Sequence, residues 1–181
     1  MNYKMGVDQS FTSAAVVIIN RGGDLINAQI LKSDPSKNIF DRATHIAIEV
    51  VTLAFPHKGN IDVAIEGLAF GGRGDATRDL AGLQFTLVNW ITGFICDPVI
   101  ISPKTAKRVS GCGSSLKEEM VERLPPHIRA HFTEEMNAKK TTGLYDLTDA
   151  YWLAVSSMDP TNGIKASEFI KKSKKRKKAR K

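Results

Sequence analysis

Short apolar runs broken by polar turns fill the first thirty residues. Residues 4–9 (KMGVDQ), 14–20 (AAVVIIN) and 25–31 (LINAQIL) have the length and composition of β-strands. Gly22-Gly23-Asp24 marks a hairpin between the second and third, so the three read as an antiparallel meander. Asp34-Pro35-Ser36 breaks the chain, and the spacing then becomes helical. Ala43, Ile46, Ala47, Val50 and Ala54 predict a helix over residues 39–55 that Pro56 stops. Residues 61–66 (IDVAIE) read as a buried strand ending in a carboxylate. A Gly-rich loop at residues 71–74 precedes a long helix over residues 75–94, striped by Leu80, Leu83, Leu87, Trp90, Ile91 and Phe94. Residues 99–102 form a short strand that Pro103 ends. Ser115-x-x-Glu118 has the form of a capping box, and Pro125-Pro126 closes the helix it would start. Residues 127–143 are polar and without a readable period, and a last helix spans residues 144–157. This order predicts an α/β fold: a mixed sheet, antiparallel in strands 1–3 and parallel in strands 4–5, flanked by helices.

The 181 residues are 42% hydrophobic, enough for one globular domain with its own core. No apolar run approaches the roughly 18 residues of a membrane span. The opening MNYKMGVDQS lacks the charged head and apolar stretch of a signal peptide. Cys96 and Cys112 show neither metal-ligand spacing nor a disulfide framework and suit a reducing compartment, so a cytoplasmic protein is expected. The formal charge of +7 is unevenly placed. Residues 171–181 (KKSKKRKKARK) hold nine of the 26 Lys and Arg and no acid, leaving 17 basic residues against 19 acidic ones elsewhere, a net −2. Residues 1–158 are therefore expected to form the domain and residues 159–181 a flexible Lys/Arg-rich tail. The partner expected for such a tail is a polyanion, nucleic acid before others.

Charge of the opposite sign stands where a core should be. Asp8 ends the first strand, Glu66 ends IDVAIE, and Asp146 and Asp149 are spaced i, i+3 in YDLTDAYWLA, on one helix face. One such acid is commonly a turn, cap or surface residue. Four from three elements, two of them beside apolar runs, suggest an oxygen-rich site for a hard divalent cation, Mg2+ or Mn2+. Two such ions about 3.5–4 Å apart can clamp a phosphodiester.

The blocks GVDQSFTSAAVVI, VAIEGLAFGG, ISPKTAKRVSGCGSSLKEEMV and DLTDAYWLAV together resemble the RuvC-type Holliday-junction resolvases, of the ribonuclease H-like nucleases. They occur in family order across about residues 5–155, and Val-Ser-Gly-Cys-Gly-Ser-Ser-Leu-Lys-Glu is the most discriminating. The resemblance implies that Asp8, Glu66, Asp146 and Asp149 bind the metal and catalyse, with two ions per site and Lys117 beside the scissile phosphate. It implies DNA contacts from Lys107, with Lys104 and Arg108 as near alternatives, and from Ser114. It also implies a homodimer that places one nick in each of two opposing strands of a four-way junction, leaving 5′-phosphate and 3′-hydroxyl ends. The expected dimer face is the long helix, with Phe85, Val88 and Trp90. No membrane and no nucleotide cofactor are expected.

The chain departs from the family in places. Phe70 stands near the position of a junction-wedging aromatic, equally suited to stacking on DNA or to core packing. Arg73 and Arg78 make the following loop cationic, fit to track a backbone. This loop and the Lys-rich tail point to a bacteriophage branch. Three other readings compete. One is a ribonuclease H-like enzyme cutting RNA–DNA hybrids, which must read the 2′-hydroxyl. Another is a catalytically silent DNA-binding module. The third is an actin-like nucleotide binder, which needs a second domain that this chain is too short to hold.

Overall fold

The first strand, β1 (Tyr3–Asp8), lies at the middle of the sheet because Met5, Gly6 and Val7 are buried from both sides. In the computed structural model, which describes residues 1–68, 75–113 and 116–168, it is flanked by β2 (Ser13–Asn20) and β4 (Ile61–Glu66). β2 pairs antiparallel with β1 and with β3 (Leu25–Lys32). β4 runs parallel to β1 and to β5 (Val99–Ile101). The order is β3-β2-β1-β4-β5-β6, the antiparallel-plus-parallel sheet that the patterning predicts. The hairpin between β2 and β3 is built as expected. Asn20 Oδ1 accepts from the Gly22 and Asp24 amides at 2.8 and 3.0 Å, and Gly23 takes the left-handed φ of 91°.

Alternation along the strands divides the core in two. Met5, Val7, Val16, Ile18, Val63 and Ile65 point to one face, against α1 (Ile39–Ala54) and α2 (Asp75–Phe94). Five α1 positions read as apolar from their spacing, Ala43, Ile46, Ala47, Val50 and Ala54, are all buried there. The opposite face carries Ala15, Val17, Ile19 and Ala64 against α6 (Leu144–Ser156). Three short helices complete that side: α3 (Pro103–Val109), α4 (Lys117–Glu122) and α5 (Pro126–Ala130).

Three expectations change and a fourth is extended. The helix start read as a capping box falls at α4, whose N-cap is Leu116 without a side-chain hydrogen bond; Ser115 lies outside the described residues. α4 ends at Glu122, ahead of Pro125-Pro126 as read, and Pro126 in addition begins a helix, because a first-turn proline needs no amide partner. Residues 127–143 are structured: α5 runs into a π-helical turn, His131–Glu135, and Ile128 and Phe132 are wholly buried. Two apolar residues four apart were too sparse to read among polar neighbours. Finally, the first ten residues assigned to the tail fold onto the domain. Asp159 Oδ1 caps a turn at Pro160–Asn162, and β6 (Ile164–Lys165) pairs antiparallel with β5. The basic run at residues 171–181 lies outside the described residues. No described helix is long and apolar enough to cross a membrane.

Candidate active site

Two acids are placed by strand register. Asp8 pairs across β2 with Ala15, and Ala15 pairs with Ile30 on β3. On the other side Val7 pairs with Ile65, so the next step sets Asp8 beside Glu66, which in turn pairs with Ile101 of β5. Ile101, Glu66, Asp8, Ala15 and Ile30 thus form one row across the sheet. Alternation points the row toward α6, since Ala15 and Ile101 belong to the core on that face. The end of β4 is pinned from behind by Gln9 Nε2 and Gln84 Nε2, which donate to the Glu66 carbonyl at 2.9 and 2.7 Å.

The other two acids arrive on α6, which packs across β1 and β2. That approach depends on Gly6: a Cβ there would overlap the Ala150 carbonyl and crowd the Ala154 amide. A glycine between Met5 and Val7 in a buried strand is the signal that another backbone comes close, and the helical and strand periods did not expose it. Asp146 and Asp149, in the first turns of α6, come to lie over the Asp8–Glu66 pair, and their charges are felt there.

The electrostatics follow from that crowding. Burial first, then the charges of Glu66, Asp149 and Asp146, push the Asp8 carboxyl well above the ordinary carboxylate range, against the pull of Lys117. Glu66 is raised by burial and by Asp149, while a hydrogen bond with Asp8 and the charges of Lys117 and Lys107 offset part of the rise. Two carboxyls can bond each other only if a proton is held between them. Asp146 is raised by burial, with Lys117 opposing and Asp149 adding. Lys117 loses hydration, yet its hydrogen bond to Asp149 and the charges of Asp149, Asp8 and Asp146 more than compensate and raise its pKa.

Lys117 stands at the first position of α4 and donates from Nζ to Asp149 Oδ2 at 2.7 Å, not to Glu118 or Glu122 on its own helix. Three further ties hold α4 against α6. Trp152 Nε1 donates to the Met120 carbonyl at 3.1 Å, Tyr145 Oη donates to Glu118 Oε1 at 2.7 Å, and the Lys117 ammonium sits 5.9 Å from the Tyr145 ring centre. Tyr145 and Glu118 thus position Lys117 from outside the acid cluster. Tyr145→Phe is expected to lower turnover several-fold without changing substrate affinity. Glu118→Gln, whose amide oxygen still accepts the phenol, should behave as wild type. In a Lys117→Met background the Tyr145 change should have no further effect; an additive loss would show that Tyr145 acts elsewhere.

Among the remaining cations read from the sequence, Lys107 is near enough for its charge to act on Glu66. Arg108, its neighbour, turns away and donates to Asn162 Oδ1 at 2.7 Å. Lys104 is exposed at the start of α3. Arg78 is exposed near the start of α2, 3.4 Å from Asp79 Oδ1. Phe70, Arg73 and Ser114 lie outside the described residues.

The donor set of four carboxylates with excess negative charge suits a hard cation. Among the described residues, however, no three His, Cys, Asp or Glu side chains are already drawn together tightly enough to grip one. Asp149 is held by Lys117 instead.

The mixed sheet of this order, flanked by helices, has the ribonuclease H-like fold, the fold of RuvC. The structure of Thermus thermophilus RuvC superimposes with a TM-score of 0.67 over 90% of this chain and 99% of that one, at 14% identity. T. thermophilus RuvC in complex with a Holliday junction substrate superimposes at 0.65, over 86% and 92%, at 16% identity. No known family profile and no curated protein sequence matches the chain.

Proposed function

We propose that this protein is a metal-dependent, structure-selective endonuclease that resolves four-way DNA junctions in the cytoplasm, as a homodimer. The observation that carries the reading is the convergence of Glu66, Asp146, Asp149 and Lys117 around Asp8, close enough for their charges to act on it, from four separate elements, β1, β4, α6 and α4. Gathering four acids where DNA must approach has no use in a binding module, because they repel the ligand unless cations intervene. The branched substrate is supported by the likeness to a RuvC bound to a junction.

Asp8, Glu66, Asp146 and Asp149 would hold Mg2+ or Mn2+, two ions per site by the family resemblance. Such ions ready a water for attack and steady the leaving oxygen. Lys117, which bonds Asp149 at 2.7 Å, would be the cation nearest the reacting phosphate, and its ammonium would stabilise the charge that grows on the non-bridging oxygens. Lys107, on the β4 side, anchors the strand.

Dimerisation through α2 divides its expected residues. Val88 and Trp90 are half-buried against the core, whereas Phe85 is 69% exposed, beside Gly82, where an added Cβ would meet open space. Phe85→Glu is expected to convert the dimer to monomer in sedimentation velocity and to replace paired nicks by single ones. A dimer that survives this change is built on another face.

The function is tested by incubating a labelled four-way junction in Mg2+ beside linear duplex and an RNA–DNA hybrid. Paired symmetric cuts in the junction alone are expected. Cutting of the hybrid alone would keep the metal site and overturn the substrate. Junction binding with no cutting of any substrate would overturn the enzyme.

A further inference from the structure

Beside the acid cluster, between β3 and the loop leading into α6, lies a cavity of about 550 Å³. Its polar wall is Lys32, Asn137, Lys139 and Thr142, its apolar floor includes Ile30 and Met136, and no carboxylate lines it. An acid-free site is notable in a domain whose body is net acidic. Neither Lys32 nor Lys139 forms an ion pair among the described residues, whereas Lys4, Lys117, Lys140 and Lys165 do. Thr142 Oγ1 accepts from the Lys139 amide at 2.9 Å, which leaves the hydroxyl proton free to be donated.

Register fixes where this cavity sits. Lys32 pairs with Ser13 and lies two residues beyond Ile30, on the face shared by Ile30, Ala15 and Asp8. From strand spacing and rise, its Cα is roughly 12 Å from that of Asp8. The opposite wall is tied to the other two acids. The Lys139 carbonyl accepts from the Leu144 amide at 3.0 Å, where α6 starts, and Gly143, with φ of 100°, lets the loop close down on Ile30. Cations therefore flank the acids on both sides of the sheet: Lys107 beyond β4, and Lys32 with Lys139 beyond β2.

We propose that this cavity holds a backbone phosphate of the strand being cut, on the side of the scissile phosphate away from Lys107, with the sugar against Ile30 and Met136. The proposal rests on the junction-nuclease reading and adds the path of the strand, across the sheet and oblique to β1. Lys32 and Lys139 neutralise the phosphate and Thr142 donates to it, which offsets the repulsion of DNA by the neighbouring acids.

The test uses the full chain carrying Asp8→Asn, with and without Lys32→Ala and Lys139→Ala together. It measures binding to a four-way junction against salt, with single methylphosphonates placed in turn at the phosphates flanking the cut. Both lysines are exposed, and a melting curve checks that the fold is kept. Neutralising one flanking phosphate is expected to weaken binding several-fold, and to have no effect once the lysines are gone. The salt slope should become shallower by about 1, for the one phosphate no longer neutralised. Equal sensitivity to the methylphosphonate in both proteins, or an unchanged salt slope, overturns the phosphate site and leaves the nuclease standing. Failure of the lysine-bearing protein to bind any branched DNA, together with no cutting by wild type, overturns both.

Discussion

Asp8→Asn is expected to abolish cleavage and at the same time to stabilise the metal-free protein. The loss follows from removing an acid at the centre of the proposed cation site, where several kcal/mol of charge stabilisation, about 10³-fold or more in rate, depends on it. The gain follows from the raised pKa of Asp8, which means that burial and three neighbouring carboxylates penalise its charged form. The folded state holds the Asp8 proton more tightly than the unfolded chain does. Stability of the metal-free protein therefore falls as pH rises from the unfolded carboxylate value of about 4 up to the raised folded value, and is lowest above it. Glu66 and Asp146 are raised as well and add to the same slope. Asparagine removes the Asp8 share. At neutral pH, above the unfolded carboxylate value, the metal-free variant should therefore melt at a higher temperature than wild type. Mn2+ should raise the melting temperature of wild type and raise that of the variant much less. Thermal melts at pH 5 and pH 8, with and without Mn2+, check all three statements. A variant less stable than wild type at pH 8 without metal would show that Asp8 carries a structural bond stronger than the repulsion.

Among the described glycines, Gly6→Ala should have the largest effect of an added methyl group. The new Cβ meets backbone atoms, the Ala150 carbonyl and the Ala154 amide, which cannot swing aside as a side chain would. Either α6 lifts from β1 or the strand bends, at a cost of about 3 kcal/mol or more. The damage extends to the site, because α6 carries Asp146 and Asp149 while β1 carries Asp8. A displacement of about 1 Å between catalytic groups can cost about 10²-fold in rate. A lower denaturant midpoint and a loss of cleavage that persists in the fully folded fraction are expected. Gly93→Ala is the contrast: its Cβ would enter open space within α2, and alanine there should stabilise by up to about 1 kcal/mol. If Gly6→Ala keeps both stability and rate, the helix is not seated by backbone contact.

Local chemistry along the chain accounts for most elements and for the acids. The three-strand meander, α1, α2 and α6 each carry a period or a turn signal within a dozen residues. A carboxylate at the end of an apolar run, as at Asp8 and Glu66, is visible without knowing what it faces. Shorter elements were not legible. β6 has two residues and exists only because β5 offers an edge, and the π-helical turn buries a single large side chain, Phe132. No period can be read from so little.

The identity of the partners was decided in three dimensions. Among Lys104, Lys107 and Arg108, adjacent on α3, only the folded chain shows that the charge of Lys107 acts on Glu66 while Arg108 bonds Asn162. The union of Lys117 with Asp149, 32 residues apart, and of Tyr145 with Glu118, 27 apart, belongs to the packing of α4 on α6. Sequence periodicity reports which side of an element is buried, since burial selects residue type at each turn or pleat. It does not report what lies opposite. Opposition is set by register and by close approaches such as that at Gly6, and these determine where four acids and a lysine meet.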